Sequence, residues 1–311
     1  MKAAPRVLAY GVGVDSTALL IELHSRGECP DLVITADPGA EKPMTYAYLA
    51  MMRQWMADRE IPFELVRYEP KRFKNYPPYS TIAENCLTNA TLPSASFGGK
   101  SCSIKWKQQP QDKFLRTWPP AIDAWAAGQR VVKFIGYDAS SRDNVRSAHA
   151  ITIDDPRYAA QYPLQEWGWT RDICARRIER AGLPVPPKSS CIMRVAKKPD
   201  EVRELPLESL RLIVLMEARA APRLTTVEGL WRKSTRKRPG RMTDFIRAER
   251  LLDADEIDQI VTAAPLDLVA FNDAAALIPI AARPALRDWL ARYQQAFIHP
   301  DPLQHQTPVA A

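Results

Sequence analysis

VLAYGVGVDSTALL, residues 7–20, passes from strand to loop to helix in a single short stretch. Val7, Leu8, Ala9 and Tyr10 make an apolar run of strand type. Gly11 to Thr17 make a tight loop with two glycines. From Ala18 the apolar spacing is helical, and the helix is expected to end at Gly27. Strand, glycine loop and helix in this order aim backbone N–H groups and a helix N-terminus at an anion, most often phosphate. A Walker A loop needs a Lys immediately before its Ser/Thr, and here Asp15 precedes Ser16. A dinucleotide-binding GxGxxG would use Gly11 and Gly13, but Ser16 stands at the third glycine. Asp15 would also repel the pyrophosphate unless a metal ion intervened. A carboxylate is useful in such a loop when Mg²⁺ bridges it to the phosphates. An ordinary strand-to-helix turn is the competing reading.

Outward from this stretch, residues 31–36 (DLVITA) form a second buried-strand candidate, followed by Asp37-Pro38-Gly39-Ala40-Glu41. Pro43 suits the first turn of a helix. Tyr48, Leu49, Met52, Trp55 and Met56 then lie on one helical face, a core stripe. Residues 62–66 are a third strand candidate. The order βαβαβ implies a parallel sheet with helices on its faces. Ligands of such sheets bind beyond the carboxyl ends of the strands. Asp37, Gly39 and Glu41 are therefore candidates for the nucleotide cleft, with a turn or cap role for Asp37 as the alternative. Residues 129–135 read as a fourth strand ending at Gly136. The loop after it, 137–146, carries Asp138, Arg142, Asp143 and Arg146. An arginine there can clamp phosphate, or the loop can hold local ion pairs.

Residues 69–100 are irregular and rich in proline. They lead into Ser101-Cys102-Ser103-Ile104-Lys105-Trp106-Lys107, a helix start. Residues 171–181 form another helix, with Thr170 as N-cap, Gly182 as its end and Cys174 as a core thiol. Pro184, Pro186 and Pro187 hold the next segment extended and deliver Lys188-Ser189-Ser190-Cys191. Beyond residue 199 the pattern is helical, with candidates at 200–219, 243–252, 254–263 and 284–297. Residues 231–241, WRKSTRKRPGR, interrupt it with six basic residues after Trp231. Such a run can follow a nucleic-acid backbone while Trp231 stacks on a base, or it can be solvated surface. The fold class expected is α/β, a parallel sheet with helices on both faces and a mostly helical C-terminal region. Residues 1–198 are expected to form the nucleotide-binding domain, 199–299 a helical basic region, and 300–311 a disordered tail.

The chain has 311 residues, 46% hydrophobic and 25% charged, the composition of an ordinary globular protein. No apolar run is long enough to span a bilayer, and MKAAPRVLAY lacks the apolar core of a signal peptide. Five cysteines, an odd number without paired short spacing, argue against a disulfide framework and for the cytoplasm. The net charge of +7 permits nucleic acid or phosphorylated partners.

GVGVDST, TADPGAEKP, SCSIKWK, YPLQEWGWT and LPVPPKSSC occur in that order over residues 5–200. Together they resemble the phosphoadenosine phosphosulfate reductase-like family of the PP-loop ATP pyrophosphatase superfamily, whose loop pattern is SGGxDS. Gly11 and Val12 depart from that pattern. The resemblance implies a five-stranded parallel sheet of the adenine-nucleotide α-hydrolase type. It also implies ATP cleavage between the α- and β-phosphates with adenylyl transfer. On that resemblance Gly11, Gly13, Ser16 and Thr17 hold the pyrophosphate, and Asp15 holds Mg²⁺. Asp37, Gly39, Glu41 and Gly136 line the nucleotide site, and Arg146 neutralises phosphate. Cys102 or Cys191 can act as a sulfur carrier. True sulfonucleotide reduction is not expected, because that branch depends on a C-terminal cysteine and none follows Cys191. An iron–sulfur cluster or zinc would have to draw on Cys86, Cys102 and Cys191, one thiolate short of the usual four. The acceptor implied is a nucleic acid or nucleotide receiving sulfur or nitrogen. The alternatives are a small-molecule sulfonucleotide or nucleotidyl-transfer enzyme, a catalytically weak nucleotide-binding module, and a dinucleotide-binding protein.

Overall fold

The computed structural model describes residues 3–70, 79–99, 101–151 and 154–264. The elements run β1 (Arg6–Ala9), α1 (Val14–Ser25), β2 (Leu32–Asp37), α2 (Pro43–Ala57), β3 (Phe63–Arg67) and α3 (Ile82–Thr88). A 3₁₀ turn at Ser94–Phe97 precedes α4 (Ser101–Ser103), a π-helical turn at Ile104–Gln108, α5 (Gln109–Leu115) and α6 (Pro119–Ala126). Then follow β4 (Val131–Ile135), α7 (Ser141–Ile151), β5 (Tyr158–Gln161), α8 (Pro163–Glu166) and α9 (Arg171–Arg180). The last named elements are α10 (Pro199–Arg203), α11 (Leu207–Ala220) and α12 (Met242–Ala248), and residues 254–264 are helical.

The chain divides into two compact units that interleave in sequence. One comprises residues 1–37, 41–66 and 107–190, the other 38–40, 67–106 and 191–311. This differs from the boundary at 198/199 expected from the sequence. The segment 67–106 carries its own apolar residues into the core of the C-terminal helices, so proximity along the chain does not set the division.

The first unit is built on a five-stranded sheet of order β3-β2-β1-β4-β5. The pairs β1–β2, β1–β4 and β4–β5 are parallel, with Val7 opposite Leu32 and Lys133. Successive side chains of a strand point to opposite faces, and the core follows that alternation. Leu8, Val33 and Phe134 pack with Leu19, Leu20 and Leu23 of α1, Met52 and Met56 of α2, and Cys174 and Ile178 of α9. Val7, Leu32, Ile34 and Val131 pack on the other face with Leu115 of α5 and Ala121 of α6. Helices therefore cover both faces, as the buried strand runs and the α2 stripe imply. The strand order reverses between β1 and β4, and open α/β sheets bind their ligands at the carboxyl ends of the strands beside such a reversal.

The second unit has its own core of α3, α11 and α12 with Trp106, Ile192, Met193 and Trp231. The expected helix 200–219 is broken in two, because Pro206 cannot continue a helix and becomes the residue preceding α11. Within this core the buried Glu217 carboxylate accepts from the backbone N–H groups of Leu230 (2.7 Å), Met242 (2.9 Å) and Thr243 (2.8 Å), and from the Thr243 hydroxyl (2.6 Å). One side chain thus holds both ends of the basic stretch 231–241.

Other expectations are corrected. Residues 141–146, expected within the loop 137–146, instead open α7, and residues 69–100 contain α3. β5, YAAQ, has no strand signature of its own and is recruited by pairing with β4. Thr170 precedes α9 but makes no capping hydrogen bond through its side chain. The expected helix 284–297 and tail 300–311 lie outside the described residues. Among the described residues no helix is long and apolar enough to cross a membrane.

Candidate functional site

The loop between β1 and α1 lies at the carboxyl end of β1, beside the reversal of strand order. Gly13 is the N-cap of α1 and brings no side chain to satisfy the helix end. The first intrahelical bond runs from Thr17 N to Gly13 O, 3.0 Å. The amides of Val14, Asp15 and Ser16 therefore have no partner within the helix and form the positive end of its dipole. Ser16 Oγ lies 3.3 Å from Gly13 N and 3.2 Å from Gly13 O, which closes the turn. The Thr17 hydroxyl meets the Tyr10 hydroxyl at 3.1 Å in the interior. Burial raises the Tyr10 pKa, so this phenol is a neutral partner and not a base. Thr17 thus supports the loop from below, and it is Ser16 that stands at the helix mouth.

Val12 adopts φ +56°, the left-handed region, and is buried. A β-branched residue rarely takes this conformation, and glycine takes it freely. It is the position at which the SGGxDS pattern has glycine. Gly136, just beyond β4, is forced by a close approach. A Cβ there would lie 2.8 Å from both N and Cα of Ser16. A Cβ on Gly13 would lie 3.2 Å from Ser189 Oγ, so the Lys188–Ser190 segment lies against the loop. The Tyr48 hydroxyl holds the extended stretch before it by donating to Pro184 O at 2.9 Å.

Asp15 carries the local charge. Its Oδ2 lies 3.5 Å from an Arg171 nitrogen, and its Oδ1 is buried without a hydrogen bond among the described residues. Burial raises its pKa, Arg171 opposes the rise, and Asp138 and Asp143 add to it. An orphaned buried carboxylate oxygen at the mouth of a phosphate-type loop fits a Mg²⁺ ligand. Arg171 was not visible as a site residue from the sequence. A cation at the first position of α9, after the WGWT turn, was the available signal. Cys174 on the same helix is pushed up to about 12 by burial and by Asp15 and Asp138, so it is an inert core thiol.

Asp37 ends β2, is buried, and accepts a 2.7 Å hydrogen bond from the Tyr46 hydroxyl. Burial and the Asp37 charge raise the Tyr46 pKa. Glu41 pairs with Lys107 at 3.0 Å through Oε1, while its Oε2 is buried without a hydrogen bond among the described residues. Arg146 lies on α7, pairs with Asp143 at 2.9 Å and covers the Tyr137 ring at 4.2 Å. It would have to leave Asp143 to meet a phosphate. Gly11 is exposed, and among the described residues only Ser16 Oγ comes near a Cβ position, at 3.9 Å. A cavity bounded by Pro5, Asp31, Asp123 and Gln129 lies at the amino-terminal ends of the strands. Among the described residues its lining carries carboxylates and no cation.

Gly39, Cys102 and Cys191 belong to the second unit. Gly39 sits at φ +65° with Thr81 Cγ2 2.2 Å from a Cβ position, so only glycine fits. The Cys102 thiol lies 3.2 Å from Ser94 Oγ, which also accepts from Cys102 N. Burial pushes the Cys86 thiol up, and Cys102 and Cys191 add to the rise. The three thiols therefore share one region, but among the described residues no group of three or more His, Cys, Asp and Glu is placed to hold a metal ion. No disulfide forms among the five cysteines, all of which are described. Trp231 corrects a further expectation. It is 2% exposed, packs edge-on against Phe245, and donates from Nε1 to Lys197 O at 2.9 Å. It cannot stack on a base.

A scan against protein-family models found no match for this chain. A search of the curated proteins likewise found none.

Proposed function

We propose that the chain is an ATP-dependent adenylyl-transferring enzyme of the type that the phosphoadenosine phosphosulfate reductase-like resemblance implies. The observation that carries the reading is the uncapped mouth of α1, with the orphaned Asp15 Oδ1 beside it, at the point where the strand order reverses. The left-handed Val12 supports it, because a glycine-type backbone persists where the family loop has glycine.

In this reading the β- and γ-phosphates of ATP rest against the amides of Val14, Asp15 and Ser16 and the Ser16 hydroxyl. An acceptor atom attacks the α-phosphorus, a new bond to phosphorus forms, and the α–β bridging P–O bond breaks. The electron pair leaves with pyrophosphate, whose growing charge the α1 N-terminus and Arg171 stabilise. Mg²⁺ held by Asp15 would supply further charge neutralisation to the phosphates. Arg171 orients the Asp15 carboxylate and holds a positive charge ready at the mouth. Catalysis of this kind is mostly positioning and electrostatics, so no general base is required of the loop itself. The thiols without disulfides accord with a reducing, cytoplasmic setting.

Pyrophosphate release from ATP and Mg²⁺, with wild type and Asp15→Ala, tests the reading. Release that depends on Asp15 supports it. Absence of ATP binding sinks it. A second reading, a nucleotide-binding module without turnover, is favoured by the buried Val12 side chain and the missing hydroxyl at Gly11. It requires ATP binding with no pyrophosphate release under any acceptor.

A further inference from the structure

The basic stretch carries six cations and no acidic residue in residues 232–241, and the burial of Trp231 removes the aromatic partner expected from the sequence. The structure supplies another. Residues 232–241 contain Arg232, Lys233, Arg236, Lys237, Arg238 and Arg241 and no acidic residue. All but Arg238 are exposed. The segment is not a loose loop. Thr235 N donates to Arg238 O at 2.8 Å, and Trp231 N donates to Gly240 O at 3.0 Å. The Glu228 carboxylate accepts from Ser234 N and its hydroxyl, and Ser234 Oγ accepts from Gly240 N at 3.0 Å. Arg238 lies over the buried Trp231 ring at 4.6 Å. Glu217 holds both ends, as described above. The cations are thus presented on a prefolded turn, which reduces the ordering cost of binding a polyanion.

The turn adjoins a second exposed feature. A Cβ on Gly98 would lie 3.8 Å from an Arg232 guanidinium nitrogen, so Arg232 reaches the turn Ser94–Phe97. Phe97, the residue before Gly98, is 43% exposed. That turn is itself fixed, with Gly99 N donating to Ser94 O at 2.8 Å. A large aromatic held in solvent beside a patch of lysines and arginines is the pairing that binds single-stranded nucleic acid. The cations track phosphates, and the ring offers a face to an unpaired base. A duplex meets the same charge but keeps its base faces stacked, so the ring reaches one only by unstacking a base step.

We propose that Phe97 and the basic turn 232–241 form a docking surface for single-stranded nucleic acid. The surface stands on its own observations, and its role as the acceptor's binding surface rests on the adenylyl-transfer reading.

Anisotropy of a fluorescently labelled single-stranded oligonucleotide of mixed sequence tests this across about 50 to 200 mM salt. Wild type is expected to bind with a steep salt dependence. Arg232→Ser and Arg236→Ser should each lower the slope of log K against log salt by about 0.7. Phe97→Ala should weaken single-strand binding roughly 10-fold and leave heparin and duplex binding as they were. These side chains are exposed, and an unchanged circular dichroism spectrum and melting temperature confirm that each variant folds. Failure of wild type to bind overturns the proposal. So does Phe97→Ala binding single strands as wild type does, or anionic lipid vesicles competing as well as an unlabelled single strand. Asp15→Ala is expected to keep oligonucleotide binding. Binding by a wild type that releases no pyrophosphate would sink the ATP reading alone.

Discussion

Arg171 lies 3.5 Å from Oδ2 of Asp15, while Oδ1 of the same carboxylate is buried with no hydrogen bond among the described residues. The pair is half made. One cation meets one oxygen at long range, and the other oxygen has lost its water. Such an arrangement costs stability and persists where the charge has another use.

Asp15→Asn is therefore expected to stabilise the protein at neutral pH while abolishing pyrophosphate release. Burial holds the folded-state pKa of Asp15 above its unfolded value. Between the two values the folded state binds the extra proton, so stability falls as pH rises through that window and stays lower above it. The asparagine variant has no such loss. Thermal melts of both proteins from acid to neutral pH should converge at the acid end, with the variant melting higher at neutral pH. A variant that melts lower at neutral pH would mean that the Arg171 pair outweighs the burial.

Gly136 and Gly11 offer a paired test of the loop's packing. A methyl at 136 would sit 2.8 Å from the backbone of Ser16, and backbone cannot move aside without displacing α1. Gly136→Ala is expected to cost about 3 kcal/mol, at the upper end for overpacking. Its midpoint in urea should fall accordingly, and ATP binding should fall with it. At Gly11 only Ser16 Oγ is near among the described residues, at 3.9 Å. Gly11→Ser should change stability by less than about 0.5 kcal/mol. It restores the hydroxyl of the SGGxDS pattern and is expected to tighten ATP binding, which isothermal titration would read.

Val12 inverts an ordinary rule. In an extended or helical core position glycine is less stable than alanine by about 1 kcal/mol. At φ +56° the order reverses, because a Cβ in the left-handed region costs about 1–2 kcal/mol. Both substitutions lose buried methyl groups, the glycine one more than the alanine, at about 0.8 kcal/mol each. Val12→Gly is thus expected to be at least as stable as Val12→Ala in chemical denaturation. The opposite order by about 1 kcal/mol would place Val12 outside the left-handed region.

What the sequence disclosed, and what it hid, follows from the range of the forces involved. β1, the loop and α1 were legible because a change from strand to helical period and two glycines are local signals. The α2 stripe was legible for the same reason, and Tyr48, Leu49, Met52 and Met56 are all buried. α7 was not, because SRDNVRSAHAI is polar and its Val145 stays 71% exposed. β5 had no β-branched residue to announce it and depends on β4. Trp231 was misread because a flanking charge run says nothing of which way one indole turns, and packing against Phe245 settled that. Arg171 and Asp15 are 156 residues apart, and no spacing rule joins them.

Glu217 gives the last test, and it separates the turn's fold from its charge. Its carboxylate is 3% exposed and receives four donors from Leu230, Met242 and Thr243. Glu217→Ala strands those donors in the core, at an expected cost of about 3–5 kcal/mol, the range for removing one partner from a buried charged network. Glu217→Gln keeps one acceptor oxygen and the volume, and should cost less. The two variants should therefore rank below wild type in the order Gln, then Ala. The basic turn itself reports on the loss. Its lysines and arginines are trypsin sites held on a prefolded backbone, and local opening exposes them in proportion to the stability removed. Cleavage within residues 232–241 should accelerate in Glu217→Ala before the sheet of the first unit unfolds. Equal cleavage in all three proteins would mean that Glu228 and Ser234 hold the turn without help from Glu217.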